Sequence, residues 1–392
     1  MQDPIVIIAA KRTPIGAFQG QFATVTAPQL GSAAVRGALA PFPELQAAID
    51  EAIFGCCLMA NLKQAPARQV VLGAGLPVSV PATTLTKMCG SGMKATMLAH
   101  DMLLAGSCSL ALAGGIESMS NAPYILGRAR EGYRLGHGQV FDHMFLDGLE
   151  DAYEGKLMGF FADQSARELG ISRDRQDAFA AESVRRAQAA VSSGAFAAEI
   201  APVTVQRRKG DIVISTDETP GKCDLAKIPA LKPAFVKDGS VTPANSSSIS
   251  DGAAALLLMR ASEAERRGLQ PLARIVSHAT HAQKPALFTT APAPAIQGAL
   301  TKAGWQIGDV ELFEINEAFA VVSLLAMDTL GIPADIINVN GGACALGHPV
   351  GATGARIIVT LIHAMRARGL KRGIASLCIG GGEATATAIE LW

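Results

Sequence analysis

Apolar and polar positions along the chain follow two patterns, short β-rich runs and longer stretches with helical spacing. The short apolar runs predict strands, at 5–9, 52–55 and 110–113. Helical spacing predicts helices at 27–40, 92–105 and, with Ser172 as its N-cap, 172–192. Strands that alternate with helices are typical of an α/β fold.

The two ends of the chain repeat one order of elements. The glycine-rich turn 89–95 leads into a helix and then a strand with Gly114-Gly115. The turn 351–356 leads into a helix and then a strand that ends at Gly380–Gly382. Two similar halves explain this repeat, and a chance likeness between glycine-rich α/β segments is the alternative. A two-fold arrangement of the halves would bring both helix starts and both strand ends to one central place.

The repeat also predicts a division of the chain into three parts. Residues 1–118 form the first half and 250–392 the second, and 119–249 are an inserted loop domain. This middle region holds a charged segment, a serine-rich turn and the three tyrosines (Tyr124, Tyr133 and Tyr153). The stretch 127–144 within it is either an oligomer contact or a lid.

Composition narrows the classes of function. Of the 392 residues, 49% are hydrophobic and 17% are charged, which suits a globular protein with a large core. The formal net charge of +0 offers no basic field for nucleic acid or for an anionic membrane surface. The apolar runs are far shorter than the roughly 20 residues of a membrane span, and no targeting segment is recognised, so we expect a cytoplasmic protein.

The seven cysteines show no paired spacing of the kind that holds zinc. We therefore expect reduced thiols and no metal site. We also interpret the histidines other than His348 as structural or solvent-facing: His100, His137, His143, His278, His281 and His363.

Cys89 lies in the turn Lys-Met-Cys-Gly-Ser-Gly-Met-Lys (87–94). The glycines allow a sharp strand-to-helix turn that would expose the sulfur. A helix N-terminus and a nearby imidazole would lower the pKa of the thiol and supply N–H groups for an oxyanion. A buried structural cysteine is the alternative, and the glycine framing and the repeat both weigh against it.

His348 and Cys378 lie in two further glycine-rich turns, which we also expect to be exposed. His348 precedes Pro349, which favours an extended, rigid backbone at the imidazole. Cys378 ends a strand before three glycines, which allow a ligand to approach the backbone closely. A nucleophilic thiol, a base and a second thiol that moves protons are the groups that acyl transfer through a thioester requires.

These motifs resemble the thiolase family over essentially the whole chain, from Arg12 onwards. The resemblance is carried by five blocks in the family's order, at 89–95, 114–119, 316–320, 341–351 and 378–382. It implies a five-layered αβαβα fold of two similar halves with an inserted loop domain, assembled as a homodimer or homotetramer. It also implies an acetyl-CoA C-acyltransferase of fatty acid metabolism, with acyl-CoA as substrate and no permanently bound cofactor.

The resemblance implies a role for each catalytic residue. Cys89 matches the nucleophile that is acylated, and His348 the base that activates it. Cys378 matches the acid/base at C2 of the second acyl group. Asn316 matches the residue that orients a water of one oxyanion hole, and the N–H groups of Cys89 and Gly380 match a second such hole.

Coenzyme A contacts are implied by the same resemblance, with plain core packing as the alternative for several of them. They are Ser247, Leu149, Met158, Phe235, Ala318 and Phe319. The basic run Arg207–Lys209 either meets the phosphates of the coenzyme or is a solvated surface.

One residue departs from the family's pattern. Many short-chain biosynthetic members carry His-Met-Gly in the loop domain, and this chain has Leu157-Met-Gly. A leucine cannot donate a hydrogen bond to an acyl carbonyl, which leaves room for longer or different acyl chains.

Two other functions are compatible with a two-half fold. Decarboxylating condensing enzymes of the ketoacyl synthase type use Cys-His-His, and the cysteine at position 378 counts against them. A catalytically silent acyl-CoA-binding protein would have lost Cys89, His348 or Cys378, and this chain has all three.

Overall fold

The computed structural model describes residues 3–392. Its strands, numbered β1 to β14 in chain order, are Ile5–Arg12, Gly16–Ala17, Glu51–Gly55, Ala82–Leu85, Leu110–Ser118, Tyr124–Leu126, Val140–Asp142, Val203–Val205, Ile212–Ile214, Ser250–Arg260, Ala273–Ala282, Leu312–Ile315, Arg372–Ile379 and Glu383–Leu391. Its α-helices, α1 to α10, are Ala27–Leu39, Pro66–Gly73, Ser91–Ala105, Met158–Glu168, Arg173–Ser193, Ala261–Arg266, Pro292–Ala303, Ala320–Leu330, Ala343–Leu346 and Val350–Arg368.

The strands and helices predicted from the sequence are all present, and β5 shows the largest difference in length. The prediction ended this strand at 113, whereas it continues through Gly114 and Gly115 to Ser118. The two glycines belong to the strand because β5 pairs with β10 over its whole length and lies in a crowded interior. A Cβ on Gly115 would lie 2.8 Å from the Cα of Ala352 on α10. The predicted cap of α5 is confirmed, since Ser172 Oγ accepts a hydrogen bond from the N–H of Arg175 at 3.2 Å.

The large sheet has ten strands within residues 3–392. Its order is β12-β13-β14-β11-β1-β10-β5-β3-β4, and the short β2 pairs with β10. The seam between β1 and β11 consists of two residue pairs, Val6 with Arg274 and Ile7 with Ala273. The sheet is therefore divided there into a half with β1 to β5 and β10 and a half with β11 to β14.

Helices separate and cover these two half-sheets. Apolar side chains of α1 and α2, among them Leu30 and Val70, pack on the outer face of the first half. Helices α3 and α10 lie between the halves, where Met97 and Ile358 are buried against both. Helix α7, with Ile296, covers the outer face of the second half together with α8. The expected five-layered αβαβα architecture is thus confirmed.

The two central helices, α3 and α10, begin side by side, which brings the turns that precede them together. A Cβ on Gly92 of α3 would lie 2.8 Å from the N of Ala355, and a Cβ on Gly354 of α10 would lie 2.8 Å from the Cβ of Met93. The contacts are reciprocal, as a two-fold relation between the halves requires. The turns that precede α3 and α10 carry Cys89 and His348, so the packing of these helices sets the distance between them.

The segment between β5 and β10, called the middle segment below, contributes α4, α5 and two small hairpins, β6–β7 and β8–β9. The predicted domain boundaries at 118 and 249 lie at the adjoining ends of β5 and β10. No helix among residues 3–392 has both the length and the apolar composition needed to cross a membrane.

Candidate active site

A mainly apolar cavity of about 370 Å³ lies where the central helices begin. Its wall combines both halves with residues 145–159 and 234–249 of the middle segment. All of the predicted site residues except Asn316 line it: Cys89, His348, Cys378, Gly380, Ser247, Leu149, Met158, Phe235, Ala318 and Phe319.

The turn that carries Cys89 is strained at Met88 and not at the glycines. Met88 has a φ of 47°, which a residue with a side chain rarely adopts. Ser91 holds the turn, because its hydroxyl donates to the carbonyl of Met88 at 2.6 Å and accepts from the N–H of Lys87 at 2.8 Å. Gly90 and Gly92 keep negative φ and are needed for space instead. A side chain on Gly90 would collide with Ile379, next to Cys378.

The expectation of a lowered pKa at Cys89 is wrong for the resting protein. Burial raises the pKa of the thiol to about 11. Hydrogen bonds from the N–H groups of Gly380 and Cys89 to the sulfur act in the opposite direction and do not overcome burial. The same two N–H groups were predicted to form an oxyanion hole, and both point at the sulfur.

His348 is held as a neutral base with one free nitrogen. Thr353 Oγ1 donates its hydrogen to the carbonyl of Pro349 at 2.9 Å, so it accepts from Nδ1–H of His348, which lies 2.6 Å away. Nε2 then carries the lone pair, and it has no hydrogen-bond partner among the described residues. Burial, with the positive charge of Arg356 nearby, lowers the pKa of His348 to about 3. The imidazole is therefore unprotonated near neutral pH.

The expectation of exposed turns is also wrong for the other two groups. Cys378 is 1% exposed and His348 is 6% exposed. Both lie at the inner end of the cavity, because the central helices and the middle segment cover the turns. Burial, followed by the negative charge that Cys89 can carry, raises the pKa of Cys378 well above its usual value. The resting site thus holds two neutral thiols and a neutral imidazole.

Asn316 directly follows β12 and precedes the wall residue Ala318 by two positions. Its N–H donates to the carbonyl of Ser376 at 2.9 Å, which fixes it beside the strand that carries Cys378. The side chain is 1% exposed, and neither amide atom has a hydrogen-bond partner among residues 3–392. A buried amide without a protein partner is suited to hold a water or a substrate carbonyl.

The apolar part of the wall is built from aromatic and sulfur-containing side chains. Phe319 makes edge-to-face contacts with Phe235 and Phe288, with ring centroids 6.0 and 6.1 Å apart. Ser247 Oγ donates to the carbonyl of Ala318 at 3.0 Å, which ties the serine-rich turn to the loop that connects β12 to α8. The sequence did not single out Phe145 and Phe288, which are wall residues without a motif around them.

The basic run Arg207–Lys209 lies away from the cavity. It follows β8, whose Val203 and Val205 pack in the outer core beside α1. All three side chains are exposed and none lines the cavity, so the phosphate contact stays a prediction beside the solvated surface.

Glu117 is a further site residue, to which the sequence motif around it assigned no role. It is fully buried in β5 and accepts hydrogen bonds from the N–H groups of Cys57 and Leu58, both at 3.1 Å, and of Gly351 at 2.7 Å. One carboxylate thus joins the first half to the start of α10, three residues after His348. Burial raises the pKa of Glu117 to about 7, against the hydrogen bonds, which lower it.

We expect Glu117→Gln to lower kcat about 10²-fold with little change in KM, because an amide NH₂ would face N–H donors and displace the His348 turn. The wild-type rate should fall as the pH drops through about 7, since protonation removes an acceptor. The variant should lack this fall in rate below pH 7. Steady-state kinetics from pH 6 to 8 measures both effects.

Asp50→Asn is the matched control, since Asp50 accepts from the N–H groups of Ser109 and Leu110 at the opposite end of β5. It should leave kcat unchanged. If Glu117→Gln lost stability but kept both kcat and the fall in rate below pH 7, Glu117 would be a structural residue alone.

Comparisons with known proteins agree with this geometry. The family model "Thiolase, N-terminal domain" matches residues 5–262, and "Thiolase, C-terminal domain" matches residues 269–391. The chain is 48% identical to an acetyl-CoA acetyltransferase of Pseudomonas aeruginosa, over 99% of both chains. It is 49% identical to one of Escherichia coli, over 98% of both. A crystal structure of the Bacillus anthracis acetyl-CoA acetyltransferase superposes with a TM-score of 0.97 at 41% identity, covering 100% of this chain and 99% of that one.

Proposed function

The chain belongs to the thiolase family, and on that premise we propose that it is an acetyl-CoA C-acyltransferase working through a thioester on Cys89. It condenses two acetyl-CoA molecules or, in reverse, cleaves 3-ketoacyl-CoA with free coenzyme A. The observation that carries the proposal is the convergence of Cys89, His348 and Cys378 on one cavity.

The first step transfers an acyl group to Cys89. Nε2 of His348 takes the thiol proton as the sulfur attacks the thioester carbonyl, because a thiol with a pKa of about 11 is not ionised beforehand. The negative charge that develops on the carbonyl oxygen is stabilised by hydrogen-bond donors in the cavity. The tetrahedral intermediate collapses, coenzyme A leaves as its thiolate, and the proton on His348 returns to that sulfur.

The second step forms the carbon–carbon bond. Cys378, once its thiol proton has been lost to solvent, acts as a thiolate and removes a proton from C2 of a second acetyl-CoA. The carbanion attacks the carbonyl of the acyl-Cys89, and the Cys89 sulfur leaves as a thiolate and takes up the proton that Cys378 removed, which restores the Cys378 thiolate. The two steps, run in reverse, give thiolysis with the same groups.

The middle segment supplies the coenzyme A site in this proposal. We assign residues 119–249 as the inserted loop domain, since it contributes Leu149, Met158, Phe235 and Ser247 to the wall. The pantetheine arm would pass Ala318 and Phe319, and the enzyme holds no permanent cofactor.

Thiolysis of acetoacetyl-CoA tests the proposal directly. Purified protein, acetoacetyl-CoA and free coenzyme A should give two acetyl-CoA per turnover, with ping-pong kinetics. A folded protein that binds acetyl-CoA but turns over neither short nor long 3-ketoacyl-CoA would instead be a silent binding protein.

Leu157 bears on the length of the acyl chain. It lies in the cavity wall beside Met158, where family members with His-Met-Gly have a polar residue. We expect Leu157→His to shift the ratio of kcat/KM toward acetoacetyl-CoA over 3-ketohexanoyl-CoA by about 10-fold, since the exchange removes apolar surface and adds a donor. Steady-state thiolysis of both substrates measures the ratio, and Leu157→Met, which keeps the wall apolar, should leave it unchanged.

We further propose that the protein is a homodimer or homotetramer in the cytoplasm and serves fatty acid metabolism. The hairpin β6–β7 and its connection expose large apolar side chains, with Tyr124 71%, Leu135 98% and Val140 61% exposed. Apolar exposure of this kind is typical of a contact between subunits. Light scattering coupled to size-exclusion chromatography distinguishes the dimer, the tetramer and a monomer.

A further inference from the structure

His100, Asp101 and His278 form a compact cluster outside the active site. His100 and Asp101 are neighbours on α3, and His278 lies on β11. Nδ1 of His100 and Nε2 of His278 lie 3.0 and 2.9 Å from the same oxygen, Oδ1 of Asp101. We propose that these three residues form a binding site for a divalent transition-metal ion of the zinc class.

The ligand set suits that chemistry. Two imidazole nitrogens and a carboxylate oxygen, with all three ligand atoms within 4.8 Å of one another, can each approach an ion at about 2.0–2.2 Å. Three protein ligands leave a fourth, water-filled position on a tetrahedral ion. The two imidazole rings contact each other edge to face, at 87° with centroids 5.0 Å apart.

The cluster is accessible through Asp101. The side chain of Asp101 is 50% exposed, whereas those of His100 and His278 are 10% and 14% exposed. The aspartate can therefore move outward by the small distance that an ion between the three ligands requires. The histidines, held by α3 and β11, would form the fixed part of the site.

The location gives the ion a structural consequence. Helix α3 belongs to the first half of the fold and starts two residues after Cys89, and β11 belongs to the second half. At the seam of the large sheet, β11 pairs with β1 through two residue pairs. An ion on the cluster would join the two halves at His278, four residues along β11 from Arg274 of that seam, so we expect it to stabilise the folded chain.

Lys302 sets an opposing charge beside the site. Its ammonium group donates to the carbonyl of His278 at 2.9 Å, which places a positive charge beside that histidine. The same charge opposes a bound cation. Lys302→Gln should therefore tighten binding.

Zinc chloride titration by calorimetry tests the proposal, in a Cys89→Ala, Cys378→Ala background so that the active-site thiols bind no zinc. We expect one zinc ion per chain, a higher Tm with zinc, and a loss of affinity of at least about 10-fold in His278→Ala and in Asp101→Asn. Asp101→Asn changes a half-exposed residue, so it reports on the site even if the other variant folds poorly. Cobalt(II) should give the visible absorption of a tetrahedral ion.

His281→Ala is the control, since His281 lies on the same strand and bonds to Gln283 at 3.1 Å. It should bind zinc as the background protein does. Absence of binding to the background protein, or affinity unchanged in both His278→Ala and Asp101→Asn, would overturn the proposal and leave the cluster as two hydrogen bonds to one carboxylate.

Discussion

Replacement of Cys89 by alanine should abolish acyl transfer and lower kcat for thiolysis by about 10⁴-fold or more, because it removes the nucleophile that forms the thioester. Only Cys89 combines a place at the start of α3, hydrogen bonds to its sulfur from the N–H groups of Gly380 and Cys89, and His348 in the same cavity wall. Intact mass after mixing with acetyl-CoA should show one acetyl adduct on the wild type and none on the variant.

The pH dependence of the same thiol gives an independent measurement. A pKa of about 11 at Cys89 and of about 3 at His348 means that the resting pair is neutral. Alkylation of Cys89 by iodoacetamide in the wild type should therefore accelerate with pH through pH 9, and between pH 5 and 8 its one inflection should be that of Glu117 near pH 7. A second inflection in that range would indicate a thiolate–imidazolium pair.

Cys223→Ala is the matched control for the alanine variant, since Cys223 is also half-buried but lies outside the cavity. It should acquire the adduct as the wild type does. An adduct that persisted in Cys89→Ala would move the nucleophile to another residue and contradict the mechanism.

The sequence predicted the position of the reactive groups better than their environment. Turns and helix starts are local features of the backbone, so the sequence could predict glycine-framed turns at 89, 348 and 378. The repeat between the halves then predicted that the three side chains lie together. Burial is not local. The middle segment and α10 cover the turns, and this reversed the expected direction of the pKa shift at Cys89.

Residues that act across the fold escaped the sequence for the same reason. Glu117 gains its role from N–H groups that lie 60 and 234 positions away in the chain. Asp101 and His278 are 177 positions apart, and neither belongs to a motif. In the Cys89 turn the positive φ lies at Met88, whereas the sequence pattern pointed to the glycines. Methionine has no preference for a positive φ, so its residue type did not indicate this.

Cys378→Ser should separate the two steps of the reaction. A serine hydroxyl is far less acidic than a thiol, so the variant cannot readily remove a proton from C2, whereas Cys89 and His348 remain intact. We expect acylation by acetyl-CoA, which breaks no carbon–carbon bond, to persist, and both condensation and thiolysis of acetoacetyl-CoA to fall about 10²–10⁴-fold. Intact mass measures the first half-reaction, and exchange of deuterium at C2 of acetyl-CoA measures proton removal alone.

Cys108→Ser controls for the loss of a buried thiol, since Cys108 is also buried and lies apart from the cavity. It should keep acylation, deuterium exchange and condensation. The division of roles depends on Cys378 lying beside Cys89 at the inner end of the cavity, where the charge of one sulfur raises the pKa of the other. The order of the two steps follows because the acyl-Cys89 is the electrophile that the C2 carbanion attacks, so it must form first. Normal condensation by Cys378→Ser would contradict this division of roles and assign proton removal to His348.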